Sequence, residues 1–357
     1  MKDVSASRLP GLRTVLAALL IPALGAALGA VAFAYESARQ PWRPQTTRTA
    51  TGWRIVEPGG RPPSDPSVSD GRLVWTWGAD TILMDLTTGK TRLLGSGVHT
   101  SGVMPASISD RYVVFSEGEP DGSQTAYVYD ISSGRRSRLP SDVQVQNGAV
   151  LSGDSVLWVA VQGVAGIGAY DMVAERRSVV ATGDISYPFL ADGTLVAWGS
   201  APTHTAGQGA TVLLVKDTAN GETTTVPPPP NDPNNAAIST GWVGLRDGLL
   251  LGLSTVAGQA NATVVVRDIG TGATQALGTA EPGTLPAMDA GTVVWIERDA
   301  TLFGVTRIVG RRLDGSPPFE IARVNGAVSA VSIDGGWVAW ATQGLAKTWI
   351  ETARLPE

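Results

Sequence analysis

One short hairpin is written three times in this chain: DLTTGKTRLL (85–94), DISSGRRSRL (130–139) and DIGTGATQAL (268–277). Each opens on an aspartate, turns through small residues and glycine, and resumes as a strand. Asp suits the first position because its carboxylate accepts from backbone amides just beyond it. Gly suits the later one because it reaches positive φ without strain. A chain that repeats one turn along its length must stack like units, and few folds do that. The same logic makes the recurring aspartates structural rather than catalytic.

After residue 50 the chain is a train of strand signals with no convincing amphipathic helix. A short strand ends in a tight turn, and a β-rich strand follows that often closes on an aromatic: RLVWTW, RYVVF, SVLWVA, TLVAW, TVVWIE, WVAWA. A variable loop leads to a third strand, and the Asp-to-Gly turn leads to a fourth. The first turns mark out Asp70, Asp110, Gly153, Asp192, Asp247, Asp289 and Asp334, seven units with a mean spacing of 44 residues. Four strands per period of about 40–45 residues is the signature of a β-propeller blade. The fold expected is all-β, a seven-bladed β-propeller. Blade five is weak, with LLLGL in place of the aromatic strand, and blade seven stops after three strands. The orphan segment GWRIVEP (52–58) is expected to supply blade seven's missing outer strand and so close the ring.

These motifs resemble the TolB-like family of propellers with WD-like repeats. Ser69-Asp70-Gly71 with Trp75, and Asp85-Leu86-Thr87-Thr88-Gly89, match its turns best. Ser109-Asp110 with Phe115, and Asp130 to Gly134, come next. The resemblance covers about residues 52–357, lacks the proline of the family's first turn, and implies the propeller fold. It implies little about function, because propellers host scaffolds, receptors and enzymes alike.

Ahead of the repeats, residues 1–14 carry Lys2, Arg8 and Arg13 against Asp3, and 15–34 run without a charge. As a helix that run spans roughly 30 Å, the thickness of bilayer hydrocarbon. The positive flank stays cytoplasmic, so the reading is a single-pass cell-membrane anchor with the body outside. The alternative is a signal peptide cleaved after Ala34, giving a secreted protein. Residues 35–50 read as a tether, and 51–357 as the propeller. Without residues 1–34 the chain keeps 24 basic and 31 acidic side chains, so nucleic acid is not an expected partner. With no cysteine, thiol catalysis, disulfides and Cys-ligated zinc are excluded.

Strand direction alternates, so the two stereotyped turns of every blade share one face of the disk. The variable loops, including 117–125, 200–210 and 226–241, share the other, where binding is expected. Segments leading into the inner strands should rim the channel there: Met104-Pro105, Gln146-Asn147, Tyr187-Pro188, Ser239-Thr240 and Leu285-Pro286. Met104, Asn147, Tyr187, His204 and Trp242 are the candidate contact residues for a partner or ligand. The other tryptophans that recur at one place in the blade, Trp75, Trp158, Trp198, Trp295 and Trp340, should wedge between sheets. Pro227 to Pro230 should form a stiff polyproline II spur, either bridging blades or docking a partner.

Neither histidine, His99 or His204, sits in a metal or nucleophile motif, and there is no Gly-x-Ser-x-Gly elbow. Glu117, Glu119 and Asp121 read as solvated loop acids. No catalytic residue, cofactor or metal is therefore expected. The leading reading is a non-catalytic extracytoplasmic scaffold or sensor whose partner is an envelope protein or peptide. The alternatives are a glycosidase- or lyase-type enzyme with carboxylates at the channel mouth, or a small-ligand receptor.

Overall fold

The computed structural model describes residues 44–56, 63–96, 106–118, 124–141, 143, 149–160, 166–183, 185–200, 212–229, 241–255, 259–299, 304–344 and 347–356. The anchor or signal segment lies outside this set. Within it there is no helix long and apolar enough to cross a membrane. From Gln45 onward the chain forms seven antiparallel sheets, six of four strands and one of five, arranged as a β-propeller. Blades one to six occupy 67–96, 107–138, 149–182, 186–226, 242–280 and 287–325.

Blade seven joins the two parts of the chain. Its three inner strands are Ala327–Asp334, Trp337–Gln343 and Thr348–Arg354, and Gly52–Val56 pairs antiparallel with the last of them, Gly52 opposite Ala353. That is the closure expected from GWRIVEP. The propeller begins earlier than the expected residue 51, because Gln45–Arg48 adds a fifth, outermost strand through pairing with Gly52–Val56. The segment QTTR has no apolar alternation, since its burial pattern is almost wholly exposed. An edge strand held by backbone pairing, with no apolar side chain of its own, leaves no hydrophobic signature to read.

The turns follow from φ. Asp70-Gly71 and Asp247-Gly248 both hold two successive positive φ values, 44° and 69°, and 48° and 75°. That is the I′ geometry whose twist matches a two-residue hairpin, and it selects Asp-Gly. One bond then recurs in all seven blades: an amide in the outer turn or its equivalent donates to a carbonyl of the inner hairpin. It runs from Leu86 to Gly71, Ile131 to Arg111, Met172 to Asp154, Thr218 to Thr194, Ile269 to Gly248, Leu313 to Gly291 and Leu355 to Gly336, at 2.8–3.0 Å. The repeated turn is thus the strut that fastens each blade's outer hairpin to its inner one.

The core lies between blades. Six clusters of buried side chains among the described residues each bridge consecutive blades; Val113 and Phe115 of blade two, for example, pack on Val74 and Leu83 of blade one. The recurrent tryptophans behave as expected, with Trp75, Trp158, Trp198, Trp295 and Trp340 all at most 5% exposed. Trp295 shows why the wedge needs a partner without a side chain. A Cβ at Gly278, on the preceding blade, would stand 2.6 Å from its ring.

Candidate functional site

The central channel is walled by the inner strands, and the inner hairpins ring its turn-side mouth. The inner hairpins are bonded around the ring there. The Asp70 amide donates to Asp334 Oδ2 at 2.8 Å, and the Asp247 amide to Asp192 Oδ2 at 2.7 Å. Arg246, the last residue of inner strand Trp242–Arg246 in blade five, reaches past blade six. Its Nη2 donates to Asp334 Oδ1 at 3.0 Å, and its guanidinium also lies 3.9 Å from Asp192 Oδ1. One arginine therefore ties blades four, five and seven across the channel mouth. Sequence reasoning missed it, because nothing in VGLRDG separates this arginine from a solvated one.

The outer-turn aspartates are occupied. Asp85 Oδ1 accepts from the Thr87 and Thr88 amides, and Asp171 Oδ1 from those of Val173 and Ala174. The Asp130 carboxyl is held below its ordinary range, first by the Ser132 hydroxyl and then by the Ser133 amide. The Thr271 amide does the same for Asp268, the Ala219 amide for Asp217, and the Ser316 hydroxyl for Asp314. Hydrogen bonds to the charged form favour it, which is why the carboxyls of Asp130, Asp217, Asp268 and Asp314 are lowered.

A cleft of about 550 Å³ opens on the same face at the seam between blades seven and one, lined among others by Arg48, Thr51, Trp53, Thr87, Trp337 and Arg354. Arg48 lies over the Trp53 ring and Arg354 over that of Trp337, each at 5.5 Å. Cations laid on indoles beside threonine hydroxyls suit a small anion with an apolar face. Among the described residues no three His, Asp or Glu side chains are grouped to hold a metal ion.

The residues expected to contact a partner fare unequally. Met104, Asn147 and His204 lie outside the described residues, as do the hearts of the variable loops. Tyr187 falls in the inner strand Ser186–Asp192 of blade four, with its side chain outside the described set. Trp242 is a correction. It is 1% exposed, packs in the cluster between blades four and five, and donates from Nε1 to the Pro227 carbonyl at 3.0 Å. It opens an inner strand rather than sitting in the loop before it, and a large indole there is drawn into the gap between sheets. The proline run is no free spur as far as Pro229, which is buried, and a Cβ at Gly241 would stand 3.0 Å from its ring. Of the two roles read for it, bridging blades is the one seen.

Glu117 is also corrected. It lies inside the strand Tyr112–Gly118, one residue before its end, its side chain is 11% exposed, and it pairs with Arg136. Arg136 in turn lies over Tyr127, 3.7 Å from the ring centroid. At the variable-face rim, Leu285 bonds to blade seven through its amide and the Ser329 carbonyl at 2.8 Å, and Ser329 Oγ donates to Asp65 at 3.1 Å.

No protein-family profile matches this sequence, and no curated protein matches it. Solved structures do match in shape. An oligogalacturonate lyase in complex with manganese aligns with a TM-score of 0.56 and 13% identity, over 89% of this chain and 97% of its own. The β-propeller domain of the Trilobed protease from Pyrococcus furiosus aligns with a TM-score of 0.58 and 10% identity, over 84% and 98%. That domain has an open velcro topology, whereas this ring is closed by Gly52–Val56. TolB from Acinetobacter baumannii aligns with a TM-score of 0.48 and 13% identity, over 90% and 82%, too loosely to support an argument. At such identities the likeness establishes the propeller fold and nothing finer.

Proposed function

We propose that this protein is a non-catalytic extracytoplasmic propeller, a scaffold or sensor for an envelope protein or peptide, tethered to the membrane through residues 15–34. The supporting observation is where its carboxylates are committed. Asp85, Asp130, Asp171 and Asp268 bind turn amides, while Asp334, Glu117, Glu297, Glu320 and Glu351 bind arginines. Acid–base or glycosidic chemistry needs carboxyl groups free to exchange a proton with substrate. These nine are instead committed to holding the ring, which suits a platform for binding loops.

The test is in-cell crosslinking of the full-length tagged chain in its own host, read by mass spectrometry. One dominant envelope partner joined through 117–125, 200–210 or 226–241 is the expected result. Scattered or absent crosslinks would overturn the scaffold reading and turn attention to a ligand or substrate in the channel.

A further inference from the structure

The outer corner of blades one to three differs chemically from that of blades four to six. Its last turns and outer strands read TTGKTRL (87–93), SSGRRSR (132–138) and VAERRSVV (173–180). Lys90, Arg92, Arg135, Arg136, Arg138, Arg176 and Arg177 all stand exposed there, with Glu175 the acid written among them. The matching segments of blades four and five, TANGETTTV (218–226) and GTGATQAL (270–277), hold Glu222 and no base. In blade six the one arginine, Arg323, is bonded to Glu320 at 2.8 Å.

The cations of the corner are only partly compensated. Arg136 meets Glu117, but Arg92 lies over the Tyr129 ring and Arg138 donates to the neutral Thr125 hydroxyl. Among the described residues Lys90, Arg135 and Arg176 meet no carboxylate. Apolar side chains stand beside them. Leu93 is 49% exposed, Val173 60% and Val179 70%, three of the four most exposed large apolar residues described.

Arginines on an outer strand can serve merely to keep sheet edges from pairing with other molecules. That role would be needed equally on TTTV and TQALGTA, the outer strands of blades four and five, which carry no charge. The asymmetry therefore asks for a partner. A soluble polyanion would reward the cations and gain nothing from exposed Leu93, Val173 and Val179. The headgroup region of an acidic bilayer rewards both, by attraction to anionic lipid and by burial of the apolar side chains at the acyl boundary.

We propose that this corner seats the propeller against an anionic lipid surface. The inference rests on the membrane tether of the proposed function for bringing the two together. The seating would leave the variable face of the other blades free for a partner.

The chain's lack of cysteine makes the test direct, because a single introduced cysteine carries the only label. Full-length Val179→Cys and, as a control on blade four, Thr224→Cys would each carry an environment-sensitive fluorophore. Both would be placed in nanodiscs of phosphatidylcholine with and without phosphatidylglycerol. Retention of protein on the discs in high salt reports the tether separately from seating.

With phosphatidylglycerol present, the label at 179 should shift to shorter wavelength and be quenched by brominated lipid, reversibly with salt, while that at 224 does not change. Arg135→Ser, Arg138→Ser and Arg176→Ser combined, with an unchanged thermal midpoint as the check on folding, should lower the seated-to-free ratio on the order of a hundredfold. Equal quenching at both positions would overturn the proposal, as would quenching indifferent to phosphatidylglycerol. So would a response to a soluble sulfated polysaccharide without lipid quenching, which would reassign the corner to an acidic macromolecule.

Discussion

Blade four and blade seven have the same inner hairpin and the same strut between turns, yet they are held together differently. Blade four is one continuous stretch, and its outer strand Thr223–Val226 is fastened by backbone bonds and one buried valine. Blade seven must join residues nearly the whole chain apart, and its joint has specific side-chain bonds. The Trp53 amide donates to Thr352 Oγ1 at 3.0 Å, and its indole to the Leu86 carbonyl of blade one at 2.7 Å. Arg54 grips Glu351 through Nε and Nη2 at 2.9 and 2.6 Å, and the Trp340 indole reaches the other carboxylate oxygen at 3.3 Å. A local hairpin closes a small loop, whereas the seam closes a large one at a greater cost in chain entropy. The seam is where loss of a few contacts should open the ring.

Deletion of 45–56 is the strongest way to break this comparison. It bares the edge of Thr348–Arg354 and strips Glu351 of its arginine. The thermal midpoint is expected to fall by more than about 10 °C, and deleting 223–226 should cost clearly less. Equal losses in a melting experiment would make the seam an ordinary blade. Next comes Gly52→Ala, whose Cβ would stand 2.0 Å from the Thr352 carbonyl oxygen. Forcing the strands apart should cost about 3 kcal/mol or more in denaturant unfolding. Gly153→Ala, in a turn at φ 55° with nothing within 4 Å of the new Cβ, should cost about 1 kcal/mol.

Arg54→Met leaves the Glu351 carboxylate, 12% exposed, without its cation. Because Arg54 itself is 53% exposed, solvent screens the pair, and a loss of about 1–2 kcal/mol is expected. A double-mutant cycle with Glu351→Gln isolates the coupling. Arg246→Met should cost less, under about 1 kcal/mol, since its side chain is 40% exposed at the channel mouth.

The smallest effect is on pH dependence. The folded-state carboxyls of Asp217 and Asp268, in blades four and five, are lowered from the unfolded range. The unfolded chain therefore binds more protons in acid. Their contribution is complete above the unfolded value of about 4 and is lost as pH falls below it toward their folded values. Asp268→Asn should flatten the acid limb of midpoint against pH without moving the neutral plateau. An unchanged acid limb would show that the Thr271 amide does not select the charged form.

The count of blades, their period, the inner tryptophans and the closing strand at 52–56 were all legible in the chain. They rest on short-range rules: apolar alternation for half-buried strands, and Asp-Gly where φ must be positive. The contact residues were less so. Trp242 reads as a loop aromatic until the strand is seen to begin on it, because its surroundings come from Pro227, across the junction with blade four, and from Gly252 on the neighbouring strand of its own blade. Glu117 reads as a loop acid because Arg136, its partner, lies two strands outward.

By itself, then, the sequence determined the unit and how many times it repeats, since each hairpin is specified by residues within a few positions of one another. Only the tertiary structure decided which charges meet across the ring. Asp334 and Arg246 are 88 residues apart, and Arg54 and Glu351 are 297 apart. Their pairing follows from the closing of seven blades on a common axis. No local pattern encodes that closure angle, because it is set by how the side chains between neighbouring sheets pack.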